Sequence, residues 1–390
     1  MLKQKTFLFK TIIASSIAIS QWGYAGLTFG DKESTAGQVD IGGAIRGKYV
    51  YDDYSDPTTS KFSFSDAILR IDYESNKIIG HLDYRAYEYY GHLGDASWLT
   101  DAWVGYKIDD KNKVIAGLNP VPFGIDRFWG KTFYLGMGNA MGLEDVHNLG
   151  LKYQHKTESN QLDLAFYPTD GGNFQGHSKD SRRYSINMVN ADDYVVNGTN
   201  TKEKNMLVAR YVHQFKYDDL NYKLGASAWY SDVENKNTHA TGSRKVWSIF
   251  TDMNYENWSM NLLLGHQKID NKDDLYPDHI TLGGFDASFN SATEGDFFST
   301  EVSYLFPQKF EYINSIRPYI NYSGYINKKG DSADSFRIIP GLSFMLKDIT
   351  IQAEYLIGKH DPYLGDANGL ANGSNDKWNK KANVSIAYYF

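Results

Sequence analysis

The 390-residue chain has no cysteine and no uninterrupted apolar run of the roughly 18 residues that a membrane-spanning helix needs. Its mean hydropathy of −0.50 also argues against a bundle of membrane helices. Without cysteine no disulfide can stabilise the fold, which is compatible with export to a bacterial envelope but does not establish it. Membrane helices are therefore excluded, and strands remain the candidate elements for most of the chain.

The first 25 residues have the three parts of a secretory signal peptide. These parts are basic residues, a short apolar run and small residues before a cleavage point: Lys3, Lys5 and Lys10, then Thr11 to Ser20, then Gly23 and Ala25. We expect cleavage after Ala25 and a short periplasmic lead-in over residues 26–37. Removing three lysines leaves 37 basic against 47 acidic residues, a formal charge of −10 for the mature chain.

Residues 38–390 alternate between apolar and polar side chains, the period of a β-strand with one apolar face. At the C-terminus, Ala382, Val384, Ile386, Tyr388 and Phe390 share one face. Sixteen such segments recur: Gln38–Tyr51, Phe62–Ser75, Ile78–Tyr90, Ser97–Ile108, Lys113–Leu118, Asn148–His155, Gln161–Pro168, Asn205–Phe215, Asn221–Tyr230, Lys245–Tyr255, Trp258–Lys268, Phe297–Phe306, Ile316–Ile326, Phe336–Lys347, Ile349–Gly358 and Trp378–Phe390. The pattern predicts an all-β fold, a transmembrane antiparallel β-barrel of about 16 strands.

A soluble β-sandwich or propeller would also alternate, but its strands are usually about five or six residues long. Most segments here run for ten or more residues, and one parity is uncharged over long spans. The connections alternate between short turns and long polar loops, as on the periplasmic and outer faces of a barrel. Aromatic residues cluster near the strand ends, where a membrane interface would lie.

The loop Asn119–His147 is too apolar and glycine-rich for a solvated surface loop, so we expect it to fold into the barrel as the third extracellular loop. Pro122-Phe123-Gly124, after Ala116-Gly117-Leu118, resembles the PFG element of the phosphate-selective porin family of Gram-negative bacteria. That resemblance implies a diffusion porin of 16 strands, often trimeric, in which this loop forms the constriction. It also implies that Phe390 is read by the barrel-assembly machinery. A mature charge of −10 departs from the basic lining of that family.

Charged residues on the inward parity and on this loop are the predicted pore-lining and constriction residues. They are Arg46, Arg70, Arg85, Arg210, Asp126, Arg127, Lys131, Glu144, Asp145, Asp252, Glu301 and Glu354. Basic residues facing acidic ones across a narrow lumen would select solutes by charge and dipole. Alternatively, the arginines pair with Asp66, Asp72, Asp83 and loop acids and only stiffen the wall.

Inward aromatic residues suggest a second kind of lining. Tyr87, Trp103 and Trp229, together with Tyr319 and Tyr325, could stack on sugar rings or could fill space around the loop. The histidines show no metal-ligand spacing, and we predict no metal, no cofactor and no catalytic group.

These observations predict a passive outer-membrane porin for small hydrophilic solutes, with anionic or zwitterionic ones favoured. The expected partners are outer-membrane lipid and lipopolysaccharide, and not nucleic acid. The resemblance alone implies a homotrimer, and a monomer is the alternative. The alternatives are a sugar-specific porin, or a non-conducting barrel that acts as an adhesin, a phage receptor or a lipid hydrolase.

Overall fold

The computed structural model describes residues 26–55, 58–306, 311–374 and 376–390. The predicted signal peptide lies outside these ranges and stays a prediction. The described residues contain no helix with the length and apolarity needed to span a membrane.

The described ranges contain twenty strands and two short helical turns. The strands are β1 (Leu27–Gly30), β2 (Gln38–Asp52), β3 (Ser60–Glu74), β4 (Ile78–Glu88), β5 (Leu93–Lys107), β6 (Asn112–Pro120), β7 (His147–Lys156), β8 (Asn160–Asp170), β9 (Asn187–Met188), β10 (Thr201–Tyr217), β11 (Leu220–Asn235), β12 (Thr241–Tyr255), β13 (Trp258–Asp270), β14 (His279–Gly284), β15 (Ala287–Ala292), β16 (Glu294–Tyr304), β17 (Ser315–Ile326), β18 (Ser335–Leu346), β19 (Ile349–Lys359) and β20 (Trp378–Tyr389). The helical turns are α1 (Met137–Ala140) and a 3₁₀ turn (Pro362–Leu364).

Sixteen of these strands close into one antiparallel barrel, because each pairs with the next barrel strand along the chain and β20 returns to β2. At this seam Gly43 N donates to Phe390 O at 2.8 Å, and Phe390 N donates back to Gly43 O at 3.1 Å. A closed barrel leaves no strand edge unpaired, which is the condition for crossing lipid with strands. The predicted fold class is confirmed, and each predicted segment overlaps one barrel strand.

The barrel exposes large apolar side chains on its outer face. They alternate with buried or half-buried neighbours along each strand and include Leu69, Val104, Leu151, Leu207, Ile249 and Ile320. This alternation of exposure agrees with the period-two pattern of the sequence, since every second side chain of a strand lies on the same face. An apolar band around a closed barrel is the surface that a lipid bilayer covers.

The long connections contain structure that the sequence pattern did not predict. Strands β14 and β15 form a hairpin, and β9 pairs with β14 from about 90 residues away, as in Leu282 opposite Met188. Ser291 forms a parallel bridge with Leu370, so a fourth segment joins this small sheet. We call β9, β14 and β15 the loop sheet. Its buried Ile280, Leu282 and Phe289 belong to the same apolar core as residues of the loop between β6 and β7.

Residues 26–37 form more than an extended lead-in. Strand β1 pairs with the start of β2, with Leu27 opposite Ile41 and Gly30 opposite Gln38. Leu27 and Phe29 are exposed on the face that they share with Val39 and Ile41. The outer apolar band therefore continues onto β1. This strand pairs with residues 38–41 of β2, before the stretch from Ala44 to Asp52 that pairs with β20.

Candidate functional site

The loop between β6 and β7, residues 121–146, packs against inward-facing side chains of distant strands. Its Phe123 lies 6.0 Å from Trp229 of β11, and its Trp129 stacks at 6.2 Å on Phe297 of β16, both between ring centroids. These four rings are almost fully buried. Because so many apolar groups leave water together, the part of the interior that these rings occupy is a packed core rather than an aqueous lining.

Three buried carboxylates accept hydrogen bonds from the backbone of this loop. Glu144, within the loop itself, accepts from Trp129 N at 2.7 Å and from Gly136 N at 3.2 Å. Glu301 of β16 accepts from Lys131 N at 2.6 Å. Glu354 of β19 accepts from Phe133 N at 2.6 Å. The loop has little regular structure of its own, so its buried amides depend on these side-chain acceptors.

Three buried arginines of the wall satisfy carbonyl groups of the same loop. Arg210 Nε donates to Gly124 O at 2.7 Å, and Arg244 Nη2 donates to Met141 O at 3.0 Å. Arg337 Nη1 donates to Leu135 O at 3.1 Å and to Gly136 O at 3.0 Å. Donors from β10, β12 and β18 therefore hold the loop at several points around the barrel.

The predicted arginines of the wall all form ion pairs. The nitrogen–oxygen distances are 2.6 Å for Arg46 and Asp66, 3.0 Å for Arg70 and Asp83, 2.8 Å for Arg85 and Asp83, and 3.0 Å for Arg210 and Asp163. Arg85 and Arg210 are buried, whereas Arg46 and Arg70 keep 14% and 16% of their side chains exposed. Asp72, an expected partner of these arginines, instead contacts His81 Nδ1 at 2.6 Å.

A buried polar cluster joins the end of the loop to the wall and to the next outer connection. His147 places Nδ1 2.8 Å from Asp101 and Nε2 3.0 Å from Asp145. Asp145 also accepts from Arg127 Nε and from the Tyr184 hydroxyl, both at 2.5 Å. Burial opposes ionisation of Asp145, but Arg127, His147 and Arg85 together outweigh it and hold the pKa of this carboxyl well below its ordinary value. The loop end is therefore fixed by charge-assisted bonds.

The pKa of Glu144 is shifted in the opposite direction to that of Asp145. Burial raises its pKa to about 8, against the two backbone amides that favour the ionised form. Its carboxyl group is therefore largely protonated at neutral pH.

The remaining predicted site residues are spread over the loop and the wall. Asp126 is exposed, and Lys131 Nζ lies 3.7 Å from Glu301. Asp252 lies 3.6 Å from Lys223 on the neighbouring strand. Among the aromatic candidates, Tyr87 packs at 5.0 Å on Trp98, Trp103 at 5.8 Å on His81, and Trp229 packs on Phe123 as described above.

Sequence reasoning did not include several side chains at the β2–β20 seam among the site residues. The guanidinium of Arg46 lies over the ring of Phe133 at 5.3 Å, and the ammonium of Lys381 lies over Tyr134 at 4.9 Å. Phe133 and Tyr134 contact each other edge to face at 5.4 Å. Lys381 already shared the inward parity of the last segment, but only the folded loop brings aromatic rings to it.

No protein-family model matches the chain, and no curated protein matches it. Solved structures match over nearly the whole length. The outer membrane channel DcaP of Acinetobacter baumannii is 12% identical with a TM-score of 0.57, over 93% of this chain and 100% of that one. OmpF of Salmonella typhi, solved with daunomycin, is 14% identical with a TM-score of 0.57, over 93% and 100%.

A third structure, the anion-selective porin from Comamonas acidovorans, is 12% identical with a TM-score of 0.56, over 91% of this chain and 100% of that one. At such identities the likeness concerns the fold. The chain therefore has the fold of Gram-negative outer-membrane porins, and its resemblance to the phosphate-selective family stays a prediction.

Proposed function

We propose that this chain, a 16-stranded barrel with the porin fold, is an outer-membrane channel for passive diffusion of small hydrophilic solutes, narrowed by residues 121–146. One observation carries the proposal: side chains from β10, β12, β16, β18 and β19 hold this loop against the inner wall. A loop fixed in this way narrows a lumen permanently, whereas a mobile outer loop would not.

The charges that remain available to water support a preference for anions. Glu144, Glu301 and Glu354 are buried and engaged by backbone amides of the loop, so they contribute little to an aqueous passage. Arg46 and Arg127 keep part of their side chains exposed, as does Lys131. Since exposed cations attract anions, and the buried acids are engaged by loop amides and do not face water, the local field favours anionic solutes.

The test is single-channel recording of the purified, folded protein in a planar bilayer under a KCl gradient. We expect an ohmic channel whose reversal potential has the sign of chloride preference. Double replacement Arg46→Gln and Lys131→Gln should move the reversal potential toward zero, whereas replacement of the exposed Lys245 by Gln should leave it unchanged. A folded protein that conducts no ions would overturn the proposal.

The loop sheet favours one alternative, a receptor that presents a fixed outer surface. Its hairpin and the segments bridged to it are folded and buried, unlike solvated loops. This function predicts specific capture of a phage or host molecule by a barrel that conducts no ions, so the same recording separates the two proposals.

A further inference from the structure

The seam between β20 and β2 carries three basic side chains, and among the described residues only Arg46 forms a salt bridge. We define the seam subsite as Arg46, Lys48, Lys381, Asn383, Phe133 and Tyr134. Within the described part of the chain, Lys48 forms no ion pair or hydrogen bond, and Arg46 uses only Nε, toward Asp66. Among the described residues, the ammonium of Lys381 donates a hydrogen bond to the carbonyl oxygen of Tyr363 alone, at 3.3 Å.

The three cations line the inward face of the two paired strands β2 and β20. Arg46 and Lys48 are two residues apart on β2, so their side chains share the inward face. Lys48 lies opposite Ser385 of β20, and Lys381 lies opposite Asp52. Asp66 is the acid paired with Arg46, and its only other side-chain partner in the described structure is Ser65. Asp52 lies opposite Lys381 and Glu354 lies opposite Asn383, but among the described residues neither acid forms an ion pair with Lys48.

Asn383 is an independent observation that points to a polar ligand at this seam. It is fully buried, and neither its amide nitrogen nor its amide oxygen has a partner among the described residues. It lies opposite Glu354, whose carboxylate holds the Phe133 and Tyr134 amides. A buried amide without partners costs free energy unless a ligand or water satisfies it.

The aromatic side chains restrict what kind of anion fits. Phe133 and Tyr134 are half-buried and lie edge to face beside the cations. A guanidinium with free terminal nitrogens presents a planar fork that matches a carboxylate. Rings flanked by cations offer an apolar surface to the body of the same ligand. Chloride or inorganic phosphate would use the cations alone.

We propose that the seam subsite binds aromatic monocarboxylates during permeation, with the carboxylate on Arg46 and Lys48 and the ring against Phe133 and Tyr134. This inference rests on the proposed channel function and names a substrate class for it. Benzoate is the simplest probe, acetate removes the ring, and benzyl alcohol removes the charge.

The experiment records single-channel current with each probe added at constant ionic strength. We expect benzoate to occupy the channel up to about tenfold longer than acetate, because both carry the carboxylate and only benzoate adds the contact of its ring with Phe133 and Tyr134. Benzyl alcohol should cause no resolvable block. Phe133→Leu should reduce the ratio of benzoate to acetate dwell times several-fold, and Lys48→Gln should shorten both dwell times.

Control variants and folding assays keep the outcomes separate. The lipid-facing Phe62→Leu and the exposed Lys245→Gln should leave both dwell times unchanged, and every variant should show the heat-modifiable migration of a folded barrel. An anion-preferring channel in which benzoate and acetate dwell equally long would overturn the subsite while the proposed function stands. Absence of conductance from the folded protein would overturn both.

Discussion

At the residue scale, the loop is held by single buried side chains whose loss nothing nearby can compensate. Arg337 is fully buried and bonds both oxygens of Asp361, at 2.5 and 2.6 Å, besides two loop carbonyls. Asp361 is equally buried and caps the 3₁₀ turn by accepting from Tyr363 N at 2.9 Å. One guanidinium therefore links the wall, the loop of residues 121–146 and the last outer connection.

Replacing Arg337 by Met should lower the free energy of unfolding by about 3–5 kcal/mol, because it leaves a buried carboxylate unpaired. Urea unfolding in detergent, followed by heat-modifiable migration, measures this loss. The double variant Arg337→Met with Asp361→Asn should recover part of it, since the isolated charge is gone. If the single variant is as stable as the parent, Arg337 is not the anchor that its contacts indicate.

Glu144 gives the loop a pH dependence of known sign. Its pKa is about 8 in the folded loop against an ordinary value of 4.5, so the folded state binds the proton more tightly. The favourable contribution of that proton is fully present below pH 4.5 and is lost as the pH rises through about 8. Docking of the loop should therefore weaken between neutral and alkaline pH.

Hydrogen exchange at Trp129 N and Gly136 N measures this docking, because both amides donate hydrogen bonds to Glu144. Protection, corrected for the intrinsic pH dependence of exchange, should be lower at pH 9 than at pH 6. Glu144→Gln cannot ionise and should remove the difference, while Glu158→Gln in a short turn should retain it. Equal protection of the parent protein at both pH values would contradict the role given to Glu144.

At the element scale, strands and loops differ in how far the sequence predicts them. Each barrel strand has one face toward lipid and must alternate locally, so period-two reading found all sixteen. The loop sheet depends on pairing between Leu282 and Met188, which local patterning cannot reveal. Likewise, inward parity placed Arg46, Arg85 and Arg210, but their burial depends on the folded connections: residues 121–146 cover Arg210, and Tyr184 contacts Arg85.

The helical turn α1 depends on a glycine that lets Trp129 pack against it. A Cβ added at Gly138 would lie 2.2 Å from a ring carbon of Trp129, which is itself fully buried. Gly138→Ala should therefore displace this part of the loop, at a cost of about 1–3 kcal/mol.

Single-channel recording should show a noisier and larger conductance for Gly138→Ala, since the displaced loop no longer holds one position. Gly80→Ala serves as a control, because the added Cβ would lie 3.6 Å from its nearest neighbour, an ordinary van der Waals distance. A Gly138→Ala channel with the parent's conductance and noise would show that this packing does not set the width of the passage.

At the scale of the whole molecule, the net charge is negative, whereas the side chains proposed to face the passage are basic. The predicted mature chain carries a formal charge of −10, which on its own would draw cations toward the barrel. Many of its acids, however, are buried in ion pairs or lie on connecting segments, whereas Lys48 and the fork of Arg46 face the interior without a partner among the described residues. In the proposed channel, the charges at the passage and the net charge of the molecule would therefore create fields of opposite sign and different range.

Ionic strength separates these two fields. The Debye length is about 10 Å at 0.1 M salt and about 3 Å at 1 M, so dilute salt lets distant acids act while concentrated salt leaves only charges at the passage. We expect chloride preference to strengthen from 0.03 M to about 0.3 M KCl, as the distant acids are screened first, and to decline toward 1 M. Reversal potentials at a fixed twofold gradient measure this course. Lys48→Gln should make the chloride preference depend less on the KCl concentration. A chloride preference that only falls with added salt would show that the net negative charge has no influence on permeation.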